Sequence, residues 1–295
     1  MNLHLILSLL LRKNGIHNSL AYLLKRKGYF ITKEGYKLKF NETNKKDVFQ
    51  LLLLNLFHGV VFQDKEGYWR VDSEKGIVIL PNGLKFKIRN FDSLIFAETF
   101  LYDIHYDNNL NGKIVVQGGG FIGDTALYYA SKGAIVYSFE PDPISFNIAL
   151  ENISLNPELS KRITMINYAI GRDGMVKFPV NPAGSGPSSI YHTEGMKTIE
   201  VRSVSISTIL KEFDISEPYL LDLDIKGAEF DVIDDPSVSK FHKVRIEYSS
   251  ILVGKDRNIL INKLKEYGFK EIRIYKHNCG IYDLHDHGVI EAIKE

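Results

Sequence analysis

Residues 113–124 read KIVVQGGGFIGD. A short β-branched run enters Gly118, Gly119 and Gly120; Gly123 follows, and Asp124 stands where a helix would begin, as its expected N-cap. Glycine permits a tight turn and lets a ligand lie against the backbone at the carboxyl end of a strand. Gly118, Gly120 and Gly123 fit the spacing G-x-G-x-x-G. Glu140 closes the next apolar run, 20 residues beyond Gly120. A βαβ unit places a carboxylate at that distance to accept hydrogen bonds from ribose hydroxyls. The two features together predict a nucleoside-binding crevice, although NAD(H) and S-adenosylmethionine (SAM) both present an adenosine ribose.

Outward from this unit, short strands are predicted at 113–116, 135–139, 163–168, 219–223 and 244–248, alternating with helical periodicity at 124–131, 144–155, 207–213 and 259–266. Such alternation specifies a parallel α/β sheet covered by helices. The end departs from it. Runs at 269–275 and 287–293 are separated only by 276–286, too short for a helical crossover, so the last strand is expected to run antiparallel. Dinucleotide folds continue with parallel strands, whereas SAM-dependent methyltransferases end on an antiparallel pair.

Four segments then carry a specific likeness: VVQGGGFIGD ending at Asp124, FEPDP ending at Pro143 with the helical NISLN at 152–156 behind it, NYAI at 167–170, and LDLDIKGAE ending at Glu229. Together, over roughly residues 109–295, they resemble the FkbM-type family of SAM-dependent methyltransferases. The resemblance implies a Rossmann-like class I methyltransferase sheet, SAM as cofactor, and methylation of a hydroxyl on a sugar, glycolipid, polysaccharide or secondary metabolite. By position, Gly119 and Gly123 match the family's loop glycines, Glu140 its ribose-binding acid, and Asp224, Gly227 and Glu229 its Asp-x-x-Gly-x-Glu core. The implied cofactor site comprises Gln117, Gly118, Gly119, Gly120, Gly123, Glu140, Pro141, Asn167, Ala169 and Asp222. The sequence departs from the family pattern at Gln117, where an acid is usual, at Lys226, where an acid precedes the glycine, and at 205–208, which lack a carboxylate. A SAM-binding module without turnover and an NAD(P)-dependent oxidoreductase are the competing readings.

Transfer to a hydroxyl requires an in-line acceptor and help in losing a proton. Asp224, after the fourth strand, is the first candidate base; Glu247, in the fifth, is the second. His192 is a third, in a long polar loop over 181–192 that also offers Ser188, Ser189 and Tyr191 as a lid. Asp222 and Asp224, and His285 and His287, share strand faces by their spacing of two. His277 and Cys279 match no ligand pattern, and no metal is assigned.

Residues 1–108 read as a separate small α+β subdomain. Helical character at 3–11, 19–25 and 47–57, the last with Asn44 as a potential cap, gives way to strand-like runs at 59–63, 68–71, 76–79 and 84–88, then a helix at 93–102. The polar stretch 107–112 marks the expected boundary, with the methyltransferase domain over 109–295. Tyr68 and Trp69 keep a carbohydrate-stacking role open beside ordinary core packing. Across 295 residues, 37 Lys+Arg against 36 Asp+Glu leave a net charge of +1, which argues against a broad nucleic-acid footprint. One cysteine forms no internal disulfide and fits a reducing, cytoplasmic setting. The apolar run 3–11 is too short to cross a bilayer and lacks the flanks of a signal peptide; it reads as an amphipathic helix, with peripheral membrane contact through Lys25, Arg26 and Lys27 the alternative.

Overall fold

The computed structural model describes residues 10–180, 197–276 and 284–294. The chain divides into two units, Met1–Tyr102 and Asp103–Glu295.

The first unit contains α1 (Gly15–Leu24), β1 (Gly28–Ile31), β2 (Lys37–Phe40), α2 (Lys45–His58), β3 (Arg70–Asp72), β4 (Ile77–Ile79), β5 (Lys85–Lys87) and α3 (Ser93–Phe100). Strands β1 and β2 pair as an antiparallel hairpin absent from the sequence reading, while β3, β4 and β5 form the expected small antiparallel sheet. The run at 59–63 contributes only a bridge from Phe62 to Trp69. Asn44 stands at the start of α2, yet its side chain accepts from the Asn41 amide at 2.8 Å and caps no helix amide. Its short amide closes the preceding turn first. Trp69 is buried against the edge of Phe62, so its ring is core rather than a stacking platform. The helix expected at 3–11 lies largely outside the described residues.

The second unit follows the sequence reading closely. Its elements are β6 (Ile114–Gly118), α4 (Asp124–Ser131), β7 (Ile135–Phe139), α5 (Pro143–Ser154), α6 (Pro157–Ser160), β8 (Ile163–Ile166), β9 (Ala169–Ile170), β10 (Gly174–Pro179), β11 (Thr198–Val204), α7 (Ile206–Glu212), β12 (Pro218–Leu223), α8 (Glu229–Val232), β13 (Lys243–Ser249), α9 (Ser250–Val253), α10 (Asn258–Glu266), β14 (Glu271–Tyr275) and β15 (His287–Ile293). The seven-stranded sheet has the order β14-β15-β13-β12-β6-β7-β8. Strands β6, β7, β8, β12 and β13 are mutually parallel, and β15 runs antiparallel to β13 and β14, between which it inserts. This is the mixed sheet, with an antiparallel strand inserted near its end, that the family resemblance implies. Strands β9, β10 and β11 form a separate three-stranded sheet.

Alternation along the central strands sorts their side chains. Val116, Phe139, Leu221, Leu223, Ile246 and Tyr248 enter one apolar core cluster. The intervening positions Gln117, Ser138, Asp222 and Arg245 share the opposite face, and the parallel register sets them side by side. One face of the sheet is therefore held by burial of apolar surface and the other carries a buried polar row.

The polar stretch 107–112 falls inside the second unit. Asp107 accepts from Lys243 at 3.1 Å and from the Tyr219 hydroxyl at 3.2 Å, which pins it beside the amino ends of β12 and β13. Among the described residues, no helix is long and apolar enough to cross a membrane.

Candidate functional site

The carboxyl ends of the parallel strands meet along one edge, and the glycine loop starts there. Gly119 and Gly120 both donate their amides to the Phe139 carbonyl, at 3.0 and 2.9 Å, and Gly118 accepts from the Asp224 amide at 3.0 Å. Gly119 has φ +86°, and a Cβ there would lie 2.1 Å from the Asp224 carbonyl oxygen. The close approach of the two strand ends requires this glycine before any ligand is considered. Gly120 would bring its Cβ within 2.5 Å of Ser138 Oγ. The helix cap is Gly123 at φ +79°, with Asp124 in the first turn of α4 rather than at the cap. A left-handed cap conformation suits glycine, and the first-turn acid meets the positive end of the helix.

Glu140 holds this loop in place. Its buried carboxylate accepts the Phe121 amide on Oε2 at 2.7 Å and the Asp142 amide on Oε1 at 2.8 Å. Asp142 caps α5 through the Ile144 and Ser145 amides, with Pro143 opening the helix. Asn152, on α5, donates to the Ile122 carbonyl at 2.8 Å. Asn167 donates to the carbonyls of Glu140 (2.8 Å) and Pro141 (3.1 Å). The sequence segments around Gly118, Glu140, Asn152 and Asn167 are thus parts of one braced loop cluster. Ala169 stands apart, in β9, and packs with Phe178 and Val201.

Gln117 is also engaged. Its Oε1 accepts from Ser138 Oγ at 2.8 Å and its Nε2 faces the Gly119 carbonyl at 3.4 Å. Asp222, next in the same row, lies within the sheet layer: Oδ1 receives Arg245 Nη1 at 2.9 Å and Oδ2 receives the Tyr129 hydroxyl at 2.7 Å. Burial opposes its ionisation, but Arg245 and the surrounding donors outweigh burial and bring its pKa down to about 2. His105 completes the group. Arg245 can only donate, so His105 Nδ1 accepts from it at 2.7 Å, which leaves the ring proton on Nε2, facing Thr125 Oγ1 at 3.4 Å. Burial and the adjacent guanidinium both push the His105 pKa down, in keeping with this neutral tautomer.

Two residues further along the same strands the character changes. Lys226 Nζ lies 2.7 Å from Asp224 Oδ1 and 3.1 Å from Glu247 Oε1. His287 Nε2 lies 3.4 Å from the same Glu247 oxygen, and its Nδ1 is 2.9 Å from Ser249 Oγ. The Asp224 side chain is 42% exposed and that of Lys226 27%. Burial works against the Lys226 ammonium, but the two carboxylates hold its pKa above the ordinary lysine value. Glu229 anchors the turn beneath, accepting the Ile225 amide at 2.9 Å and the Gly227 amide at 2.6 Å. Burial pushes its carboxyl up to about 8 against those two bonds.

The structure brings together Asp224 and Glu247, and separately Gln117, Gly118, Gly119, Gly120, Gly123, Glu140, Pro141 and Asn167. His192, with the 181–192 loop, lies outside the described residues, as do His277 and Cys279. Sequence reasoning missed His105, Tyr129, Arg245 and the part played by His287. Arg245 carried a signal, since a charge between Val244 and Ile246 in an apolar strand asks for a buried partner; His105 carried none. Among the described residues, no group of three or more His, Cys, Asp or Glu could hold a metal ion.

The residues present fit an adenosine-bearing cofactor: a buried acid follows the second strand, beside three consecutive glycines, Gly118 to Gly120, at the end of the first. No curated protein matches the chain. Solved structures similar to it include the N-terminal domain of human METTL16 in complex with SAH, at 11% identity and TM-score 0.41, covering 91% of this chain and 89% of that one. Fibrillarin of Aeropyrum pernix with SAM shares 15% identity at TM-score 0.39, covering 68% and 74%. Magnesium protoporphyrin IX methyltransferase from Synechocystis PCC 6803 with bound SAM shares 11% at TM-score 0.39, covering 69% and 78%. The sequence matches the Methyltransferase FkbM domain over residues 117–280, more than half of the chain, and with the antiparallel β15 this sets aside the oxidoreductase reading: the protein belongs to the FkbM methyltransferase family and is a SAM-dependent methyltransferase.

Proposed function

We propose that this protein is an O-methyltransferase acting on a hydroxyl of a sugar, glycolipid, polysaccharide or other secondary metabolite, in a reducing, cytoplasmic setting. The observation that carries this reading is the pair of carboxylates, Asp224 and Glu247, gathered on one lysine at the carboxyl edge of β12 and β13. A hydroxyl is a poor nucleophile until its proton leaves, and a positioned carboxylate assists that departure.

SAM supplies an activated methyl group on a sulfonium, whose departing thioether is neutral. Glu140 would accept from the ribose, and Gln117, Gly118, Gly119, Gly120, Gly123, Pro141 and Asn167 would form the surrounding wall. Asp224 is assigned the proton, with Glu247 as the second acceptor-side group. Lys226 stays an ammonium and so is no base; it orients both acids. Asp222, with both oxygens engaged by Arg245 and Tyr129, is assigned a positioning role.

The test is methyl transfer from labelled SAM to a panel of hydroxylated, amino and thiol acceptors. Transfer to hydroxyls, lowered by roughly 10²- to 10⁴-fold in Asp224→Asn with SAM affinity retained, is the expected result. Turnover unchanged in both Asp224→Asn and Glu247→Gln would remove the acidic pair from the chemistry. Binding of SAM without transfer to any acceptor is the signature of a module that binds and does not turn over, and would overturn the proposal.

A further inference from the structure

Helix α1 is turned inside out. Its buried residues are Gly15, Asn18, Ser19 and Ala21, and Asn18 exchanges two hydrogen bonds with the backbone of Ile31, at 3.0 and 2.8 Å. The opposite side presents Ile16, Leu20, Leu23 and Leu24, each 46–74% exposed. Their spacing of four, three and one places them on a single helical face. Leu11, just before the helix, is 88% exposed. A polar anchoring face and an aliphatic outer face reverse the usual order, so the outer face calls for an apolar environment.

The charges around it name that environment. Lys13 precedes the helix and Lys25, Arg26 and Lys27 follow it, all exposed. Residues 1–33 contain six Lys+Arg and no Asp or Glu, in a chain whose net charge is +1. Protein interfaces are depleted of lysine and enriched in aromatic residues. Here the lysines flank the patch, and the aromatic Tyr22 turns inward to pack against Phe30 and Phe49. An aliphatic face flanked in the chain by cations, in a segment (1–33) that contains no Asp or Glu, is the make-up of a helix lying in a lipid interface.

We propose that α1, with Lys13 and the Lys25-Arg26-Lys27 cluster, docks the protein on an anionic membrane surface. The leucines insert at the boundary between headgroups and acyl chains while the cations meet the lipid phosphates. This proposal does not depend on the identity of the methyl acceptor.

The test is sedimentation of the full chain with phosphatidylcholine vesicles, with and without about one-third phosphatidylglycerol. Binding only to the anionic vesicles, released by added salt, is expected. Leu20→Ser with Leu23→Ser should weaken it by about tenfold or more. Lys25→Gln with Arg26→Gln and Lys27→Gln should weaken it by about 100-fold. All these side chains point outward, so thermal melting and SAM affinity should match the unsubstituted protein in both variants. Failure to sediment with anionic vesicles at low salt, or equal sedimentation by the variants, overturns the proposal. So does a dimer, seen by light scattering, that the leucine changes dissociate while vesicle binding is absent, because the face then belongs to a second copy.

Discussion

Strands β12 and β13, with Asp224 just past the end of β12, hold two pairs of charged residues two residues apart. Asp222 and Arg245 are register partners inside the sheet layer, nearly inaccessible to water and bonded further to Tyr129 and His105. Asp224 and Glu247, one alternation further, reach the strand ends and share a single lysine. The same end of the same two strands therefore holds one pair enclosed by protein and another at the strand edge, where Asp224 follows β12. Exposure separates them: a buried charge must be matched by protein, whereas one at the edge can give up its partner to a substrate.

The contrast breaks most sharply at the buried pair. Asp222→Asn or Arg245→Met alone should lower stability by about 3–5 kcal/mol, because each leaves the other charge buried and unpaired. Asp222→Leu with Arg245→Met should recover most of that loss. Urea unfolding followed by circular dichroism measures both; a single-substitution cost below about 1 kcal/mol would mean that the buried row is not a paired network.

At the edge pair the expected effect moves from stability to turnover. Glu247→Gln should slow methyl transfer by roughly 10²-fold or more. Lys226→Met should change stability by no more than about 1 kcal/mol, since the ion pairs it removes are partly solvated, and should lower kcat more than SAM affinity. Equal losses of stability at Lys226 and at Arg245 would erase the distinction.

Acidity separates buried acids in a third way. Asp222, held down to about 2, contributes stability that is present above its ordinary value near 3.8 and lost as pH falls through about 2. That contribution is worth roughly 2 kcal/mol. Glu229 has the opposite sign: held up to about 8, it contributes stability complete below 4.5 and lost as pH rises through about 8. Unfolding free energies between pH 2 and 9, repeated for Asp222→Asn and Glu229→Gln, should show the acid and alkaline limbs flattening separately. The smallest effect is expected at Ser138→Ala, which removes the donor to Gln117 and should cost about 1 kcal/mol.

Much of the second unit was legible in its sequence, and the reasons are local. The glycine loop, Glu140 and the capping pair Asp142 and Pro143 act on neighbours close in the chain. The antiparallel end followed from the length of 276–286 alone. The first unit was less legible. Its β1–β2 hairpin turns through Lys33, Glu34 and Gly35, where charged residues obscure the short strands, and α1 buries Gly15, Asn18, Ser19 and Ala21 rather than its leucines, a choice that apolar periodicity does not reveal. Asn44 shows the limit of capping rules: the residue type was right for a helix start, but a nearer amide took its oxygen.

Sequence by itself determined the kind and order of elements in the second unit, because hydrophobic period and backbone conformation are properties of short stretches. It also determined that a carboxylate stands at the end of the second strand and glycines at the end of the first. Only the tertiary structure decided what each charge does. Tyr129 meets Asp222 across 93 residues and His105 meets Arg245 across 140, and no local pattern links such partners. Asp222 and Asp224 share a residue type and stand two residues apart; Asp222 lies inside β12 among Arg245 and Tyr129, whereas Asp224 lies just past the strand end and keeps 42% of its side chain exposed.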